Sequence, residues 1–437
     1  MPNRDLLFLN ASQLVTCAGP ARARRGSEMF EIGILENSAV AVSNGRIAMI
    51  GAPSDLKNAY GDAEIVDCNG GVLMPGLVDS HTHAVFGKPR YAEHEQRAAG
   101  FDYMEIAARG GGIHASVRDF RERSEDELYA LAEPRLRELA SYGTTSVEIK
   151  SGYGLTTRDE LKALAVIGRL APQLPLRIIG TWLGAHEIPH EYRTNAARRE
   201  QYIGALIDEQ LPKVVEQNIA RFADVFCEPG VFTTDETRRI LSAARQAGLA
   251  LKLHADELKA AGGAELAVDL KATSADHLAA VSQQGITALA KGYTVATLLP
   301  GTMLFLGKSG QAPARALIDA GAAVALATDF NPGTSPTVNF PLIMTLGVSQ
   351  LRMSLAECVI ACTVNGAAAL GLADEVGQIA TGFSADMALF AITDIRELPY
   401  WYGARLCVGS WKAGAPCHPY ESVTKLQARF PEVVPTG

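Results

Sequence analysis

The sequence predicts an α/β protein: a (β/α)8 TIM-type barrel with a small β-sandwich domain formed by both chain ends. Three observations predict it. From Gly76 onward, short apolar segments rich in branched residues alternate with helical stretches, and eight such segments follow one another. Before that point, and again after residue 372, the pattern is of short β segments and turns alone. Polar side chains able to bind a metal stand at the ends of several apolar segments, which is where a parallel barrel gathers its chemistry.

The N-terminal part reads as β structure. DLLFLN and LVTC are short apolar runs, and AVAVSNGRIAMIG places Asn44-Gly45, the strongest short hairpin signal, between two alternating segments. EIVDCNGGVLMPG adds a strand and a turn. The eight barrel strands are expected at GLVDSHTH (76–83), SVEIK (146–150), LRIIGTW (176–182), ADVFCE (223–228), LALKLH (249–254), ATSADH (272–277), YTVATLL (293–299) and AVALATD (323–329). Helical stretches such as 124–143 separate them, as parallel neighbours require. After a helix over 355–372, VGQIATG, ADMALFAIT and LCVGSW return to β patterning. A closed barrel has no place for these last strands, so they are expected to pair with the first ones. The resulting division is residues 1–75 with 373–437 as a composite β domain, and 76–372 as the barrel.

Composition narrows the function classes. The 437 residues are 48% hydrophobic and 20% charged, ordinary for a soluble α/β enzyme. A net charge of −8 argues against nucleic acid or an anionic membrane as a partner, since phosphate backbones and acidic lipids repel an acidic body. The first residues lack a basic segment followed by an apolar core, and no run approaches a membrane span. Seven scattered cysteines fit a reducing cytoplasm. Cys358 and Cys362 have helical spacing but no second pair, so core packing is expected of them.

The chemistry follows from strand ends. The first strand ends in His81-Thr82-His83, the fifth in His254, the sixth in His277 and the eighth in Asp329. Alternation puts His81 and His83 on one face, so both imidazoles reach the same cation. Alone, an HxH carries little weight; His81, His83, His254 and Asp329 together at the ends of barrel strands make a metal centre. Neutral imidazoles and one carboxylate suit a single Zn²⁺ or Fe²⁺/Fe³⁺ ion, with a position open for water. Hydrolysis then needs a group to take the water proton and deliver it to a leaving nitrogen. Glu257, three residues after His254 in HADEL, is placed to do both. His277 is expected to stabilise the developing oxyanion and Asp329 to share the proton traffic. Asp256 is read as structural. The fourth strand, ADVFCEPG, carries no Lys, and Lys150 stands at the end of the second strand.

GLVDSHTHAVFGKPR, EIAARGGGI, EIKSGYGL, LGAHEIP, LHADEL, ADHL and LATDFNPGTSP together resemble the imidazolonepropionases, amidohydrolases of histidine degradation, over roughly residues 35–420. HxH and HADEL are shared with cytosine and guanine deaminases, whereas SGYGL, LGAHE and DFNPGT are more specific. The resemblance implies ring opening of 4-imidazolone-5-propanoate by water to give N-formimidoyl-L-glutamate. It implies substrate contacts from Arg90, Tyr153, His186, Glu257, Asn331, Gly333 and Thr334, and it suggests a homodimer. An acidic protein binding a small anionic imidazolone needs a local cation, and an Arg fork matches a carboxylate. A deaminase of a cyclic amidine or nucleobase is the nearest rival, and a neutral base has no carboxylate for Arg90 to pair. A non-catalytic assembly protein on the same fold is the other, and such proteins lose ligands that are complete here.

Overall fold

The computed structural model describes residues 5–101, 105–106 and 109–420. Ala107 and Ala108 of the glycine-rich motif, and residues 421–437 assigned above to the β domain, lie outside the described residues.

The first strands are β1 (Leu6–Leu9), β2 (Gln13–Val15), β3 (Ile34–Leu35), β4 (Ala39–Ser43), β5 (Arg46–Gly51), β6 (Glu64–Asp67) and β7 (Val72–Pro75). The Asn44-Gly45 hairpin forms as read: β4 and β5 are antiparallel, and both turn residues have positive φ, 51° and 75°. Then come β8 (Leu77–Asp79), β9 (Thr144–Lys150), β10 (Arg177–Ala185), β11 (Ala220–Cys227), β12 (Ala250–Ala255), β13 (Ser274–His277), β14 (Val295–Leu298) and β15 (Val324–Leu326). These eight make one parallel sheet in chain order, with helices in the crossovers. The last strands are β16 (Met387–Phe390), β17 (Cys407–Lys412) and β18 (Ala415–His418).

β8 and β15 are shorter than their apolar runs suggest, because beyond Asp79 and Leu326 the chain leaves the regular ladder. The two ends still meet. Thr82 bridges Phe330, the His83 N–H donates to the Phe330 carbonyl at 2.8 Å, and the Asp329 N–H donates to the His81 carbonyl at 3.0 Å. The barrel closes through the residues that carry its polar side chains.

The chain ends build two further sheets. One is β5-β4-β1-β6; the other, β18-β17-β16-β7-β2-β3, joins strands from both termini. They share one apolar cluster that includes Phe8, Val40 and Val66 from the first and Leu73, Met387 and Trp411 from the second. Phe8 meets Trp411 edge-on at 4.9 Å.

Helix starts follow their sequence signals. Ser124 caps Glu125–Ala140 in a reciprocal box with Glu127, and Thr233 and Ser354 do the same with Glu236 and Glu357. The expected helix over 355–372 is instead two, Leu355–Cys362 and Val364–Ala369. Thr363 breaks it, its hydroxyl donating back to the Val359 carbonyl at 2.6 Å. The break lets Gly366 lie against the Val78 backbone, where a Cβ would sit 2.6 Å from its carbonyl oxygen. Cys358 and Cys362 are free and buried. Among the described residues, no helix is long and apolar enough to cross a membrane.

Candidate metal centre and active site

His81 and His83 follow β8, and His254 lies in β12. Their ligand atoms all lie within 4.8 Å of one another, and all three side chains are buried. Asp329 Oδ1 stands 3.6 Å from Nε2 of both His81 and His83. Burial, with Lys150 and His186 nearby, lowers the pKa of His81 and His83 well below the usual imidazole range, so both rings are neutral. His81 Nδ1 is hydrogen-bonded to Asp276 Oδ2 at 2.7 Å, and His254 Nδ1 lies 3.0 Å from Asp224 Oδ2. A carboxylate on Nδ1 turns the lone pair of Nε2 toward the centre. Nε2 of His81 and of His254 are buried without any hydrogen-bond partner. Buried polar atoms are normally paired, and three imidazoles converging on one point with a carboxylate beside them fit a metal ion.

Glu257 and His277 flank this centre, with Glu257 Oε2 3.5 Å from His277 Nδ1. Burial, Asp329 and Glu228 push the Glu257 carboxyl up to about 8. His277 and Asp329 both take left-handed backbone conformations, φ 80° and 51°, rare for such residues and characteristic of sites where the chain turns to aim a side chain. Asp329 also accepts a hydrogen bond from the Thr302 hydroxyl, and burial pushes its pKa up to about 6 against that bond. Asp256 accepts backbone N–H groups from Ala261, Gly263 and Ala264, which is a structural role.

The residues expected around a substrate gather on one side. Arg90 Nη1 donates to Ser116 Oγ at 2.8 Å and Nε to Glu93 Oε2 at 3.2 Å. The guanidinium lies against Gly333, where a Cβ would overlap Nη2 at 1.6 Å, so a larger residue there would displace the tip of the arginine. His186 stacks on His83 with centroids 5.0 Å apart, and its Nδ1 is 2.9 Å from the Gly152 carbonyl. Gly152 has φ 101° and leaves room for that ring. Tyr153 is buried beside both histidines. The Asn331 side chain works inside its own loop: its amide donates to the Asp329 carbonyl and to Thr334 Oγ1, and its oxygen accepts from the Gly333 and Thr334 N–H groups. A substrate contact through that side chain requires one of these bonds to exchange.

The sequence profile of the amidohydrolase family matches residues 72–416. An imidazolonepropionase of Clostridium tetani is 45% identical over 408 residues, covering 93% of this chain and 96% of its own. One from a Geobacillus strain is 45% identical over 405 residues, covering 92% and 95%. The chain belongs to the imidazolonepropionases, within the amidohydrolase family. Among solved structures, Escherichia coli guanine deaminase superposes with a TM-score of 0.72 over 96% of this chain and 99% of its own, at 14% identity. An adenosine deaminase from Xanthomonas campestris with bound zinc gives 0.65 over 98% of each chain at 20% identity. At these identities the likeness is one of fold.

The interior below the histidines holds charges that sequence reasoning missed. Glu148 and Lys150 on β9, Asp224 on β11, Lys252 on β12 and Asp276 on β13 are all buried. The signal was present: Glu148/Lys150 and Lys252/His254 are two apart, on one face of otherwise apolar strands. Burial opposes the charge on Lys150, but Asp224, Glu148 and Asp276 outweigh it and hold the ammonium protonated above the ordinary lysine range. Glu228, after β11, was also missed. It is buried and accepts the Leu258 N–H at 3.2 Å, bracing the loop that carries Glu257.

Proposed function

We propose that this chain opens the ring of 4-imidazolone-5-propanoate with water to give N-formimidoyl-L-glutamate. The observation that carries the reading is the convergence of His81, His83 and His254 within 4.8 Å, with Glu257 and His277 paired beside them. His81, His83, His254 and Asp329 would hold one Zn²⁺ or iron ion. When bound, that ion supplies the Lewis acidity that brings a water's pKa toward neutrality. A single ion is favoured because β11 offers no lysine to bridge a second, and Lys150 is engaged by Glu148 and Asp224 at 2.7–2.9 Å.

Glu257 takes the proton of the attacking water as oxygen adds to the ring carbonyl carbon. His277, with Nδ1 turned to Glu257, has Nε2 left to donate to the carbonyl oxygen as negative charge develops there. Glu257 then delivers its proton to the ring nitrogen as the carbonyl carbon–nitrogen bond breaks. A carboxyl raised to about 8 in the absence of an ion is a stronger proton acceptor than a free carboxylate in its ionised form and, once protonated, remains acidic enough to deliver the proton to the departing nitrogen. Arg90 holds the propanoate, Tyr153 and His186 line the ring's side, and the Gly333–Thr334 loop closes over it. Domain limits of 1–75 with 373–437 and 76–372, a cytoplasmic setting and a homodimer belong to the same reading.

Ultraviolet-monitored turnover of imidazolone propanoate by the purified protein tests it. Disappearance of the imidazolone without release of ammonia is the expected result. Ammonia release from a nucleobase, with the imidazolone untouched, would make the protein a deaminase instead.

A further inference from the structure

The buried charges inside the barrel are arranged around one atom. Lys150 Nζ lies 2.7 Å from Asp224 Oδ2, 2.8 Å from Glu148 Oε2 and 3.9 Å from Asp276 Oδ2. The same Asp224 Oδ2 is 3.0 Å from His254 Nδ1, and the same Asp276 Oδ2 is 2.7 Å from His81 Nδ1. Asp224 also accepts the His254 backbone N–H on Oδ1 at 3.1 Å. One ammonium therefore faces both carboxylates that orient two of the three histidines.

Lys252 is equally buried but differently held. Its ammonium donates to the Ser80 carbonyl at 2.8 Å and stands 3.7 Å from both Glu148 Oε1 and Asp276 Oδ2. It has no ion pair with Asp224 among the described residues. The two lysines thus differ in what they can transmit to the histidines.

We propose that Lys150 is a positioning residue for the metal, fixing Asp224 and Asp276 so that His254 and His81 present their Nε2 atoms to one point. It touches neither metal nor substrate. Without it, Glu148 and Asp276 share Lys252 alone, and Asp224, which Lys252 does not pair, is free to turn away from His254 or to draw on other donors. Outer carboxylates on metal-bound histidines are worth about 10- to 100-fold in metal affinity, and a cation that sets two of them at once acts through both. The inference rests on the histidine cluster being a metal centre.

The test is zinc affinity of the folded protein, measured by competition with a chromogenic chelator. Three proteins are compared: wild type, Lys150→Met, and Lys150→Met combined with Glu148→Gln, which keeps the buried charge balanced. The melting temperature of each is read without metal. The expected result is a dissociation constant raised about 10- to 100-fold in both variants, with the paired variant recovering metal-free stability but not affinity. Lys252→Met, if it folds, should weaken zinc less. A lowered metal-free melting temperature with unchanged zinc affinity would make Lys150 a purely structural ion pair and overturn the proposal. Failure to fold even with charge balanced would overturn it as well. If the wild type itself takes up no zinc, the metal-centre reading falls first, which the wild-type titration shows separately.

Discussion

Glu257 and His277 stand side by side, carboxylate Oε2 to imidazole Nδ1 at 3.5 Å, although they come from the ends of different strands. In the register of β12 on β13, Ala255 faces His277, so the loop just after His254 falls over the next strand's last residue. The proposed proton carrier and oxyanion partner are thereby held at one edge of the histidine cluster.

Glu257→Gln should remove a proton carrier and little else. The expected outcome is a fall in kcat of about 10²- to 10⁴-fold, with zinc affinity retained because Glu257 is not among the histidine ligands. Steady-state kinetics and chelator competition check both halves. Near-wild-type turnover would hand the proton to another group.

The same substitution makes a prediction about stability without metal. The Glu257 carboxyl is raised from an ordinary 4.5 to about 8, first by burial and then by Asp329 and Glu228. A raised carboxyl stabilises the fold in its neutral form, so its contribution is fully present below about 4.5 and is lost as pH rises through about 8. Metal-free wild type should therefore melt close to metal-free Glu257→Gln at pH 5 and below it at pH 8.5. Melting curves at the two pH values decide; a gap of the same size at both would mean the carboxyl does not titrate in this window.

Arg90→Met should weaken binding of the propanoate chain specifically. Ser116 and Glu93 fix the guanidinium against Gly333, so Arg90 would meet a substrate carboxylate with its position already set. A charge-assisted contact of about 1.5–3 kcal/mol corresponds to a rise in KM of roughly 10- to 150-fold. An imidazolone lacking the propanoate should be handled almost as before. Equal damage to both substrates would make Arg90 a support of the loop rather than a ligand for the carboxylate.

Elemental analysis of gently purified protein should return one transition metal per chain. Both interior lysines are tied down, Lys150 to Glu148 and Asp224 and Lys252 to the Ser80 carbonyl, so neither is placed to bridge two ions. Two metals in stoichiometric amount would contradict that.

What could be read in the sequence was whatever a strand end makes local. His81, His83, His254, His277 and Asp329 each stand at the end of a branched apolar run, and a parallel barrel brings such ends to one rim. The (β/α)8 barrel and the sheets built from both termini were legible for the same reason, since periodicity and turn residues are local. Lys150 and Asp224 were not. They are 74 residues apart and two strands removed, so nothing short of barrel geometry joins them. Glu228 was hidden likewise, its partner being a backbone N–H 30 residues away. The helix break at Thr363 escaped because a single threonine does not by itself end a helix, and the close approach of Gly366 to Val78 that the break allows is not local in sequence.

The seam between Asp329 and His81 has a consequence for how the protein matures. The first and last strands of the barrel are stitched by the backbone of these residues and of His83 and Phe330. An ion held by His81 and His83 on one side and Asp329 on the other would act as a clasp across that stitch. A chain still emerging from the ribosome has no complete clasp until residue 329 is free, so loading follows synthesis of the whole ring. Stripping the ion should open the ring there first, and hydrogen exchange would show it: the amides of His83 and Asp329 should lose protection before those of β10 and β11, which lie away from the seam.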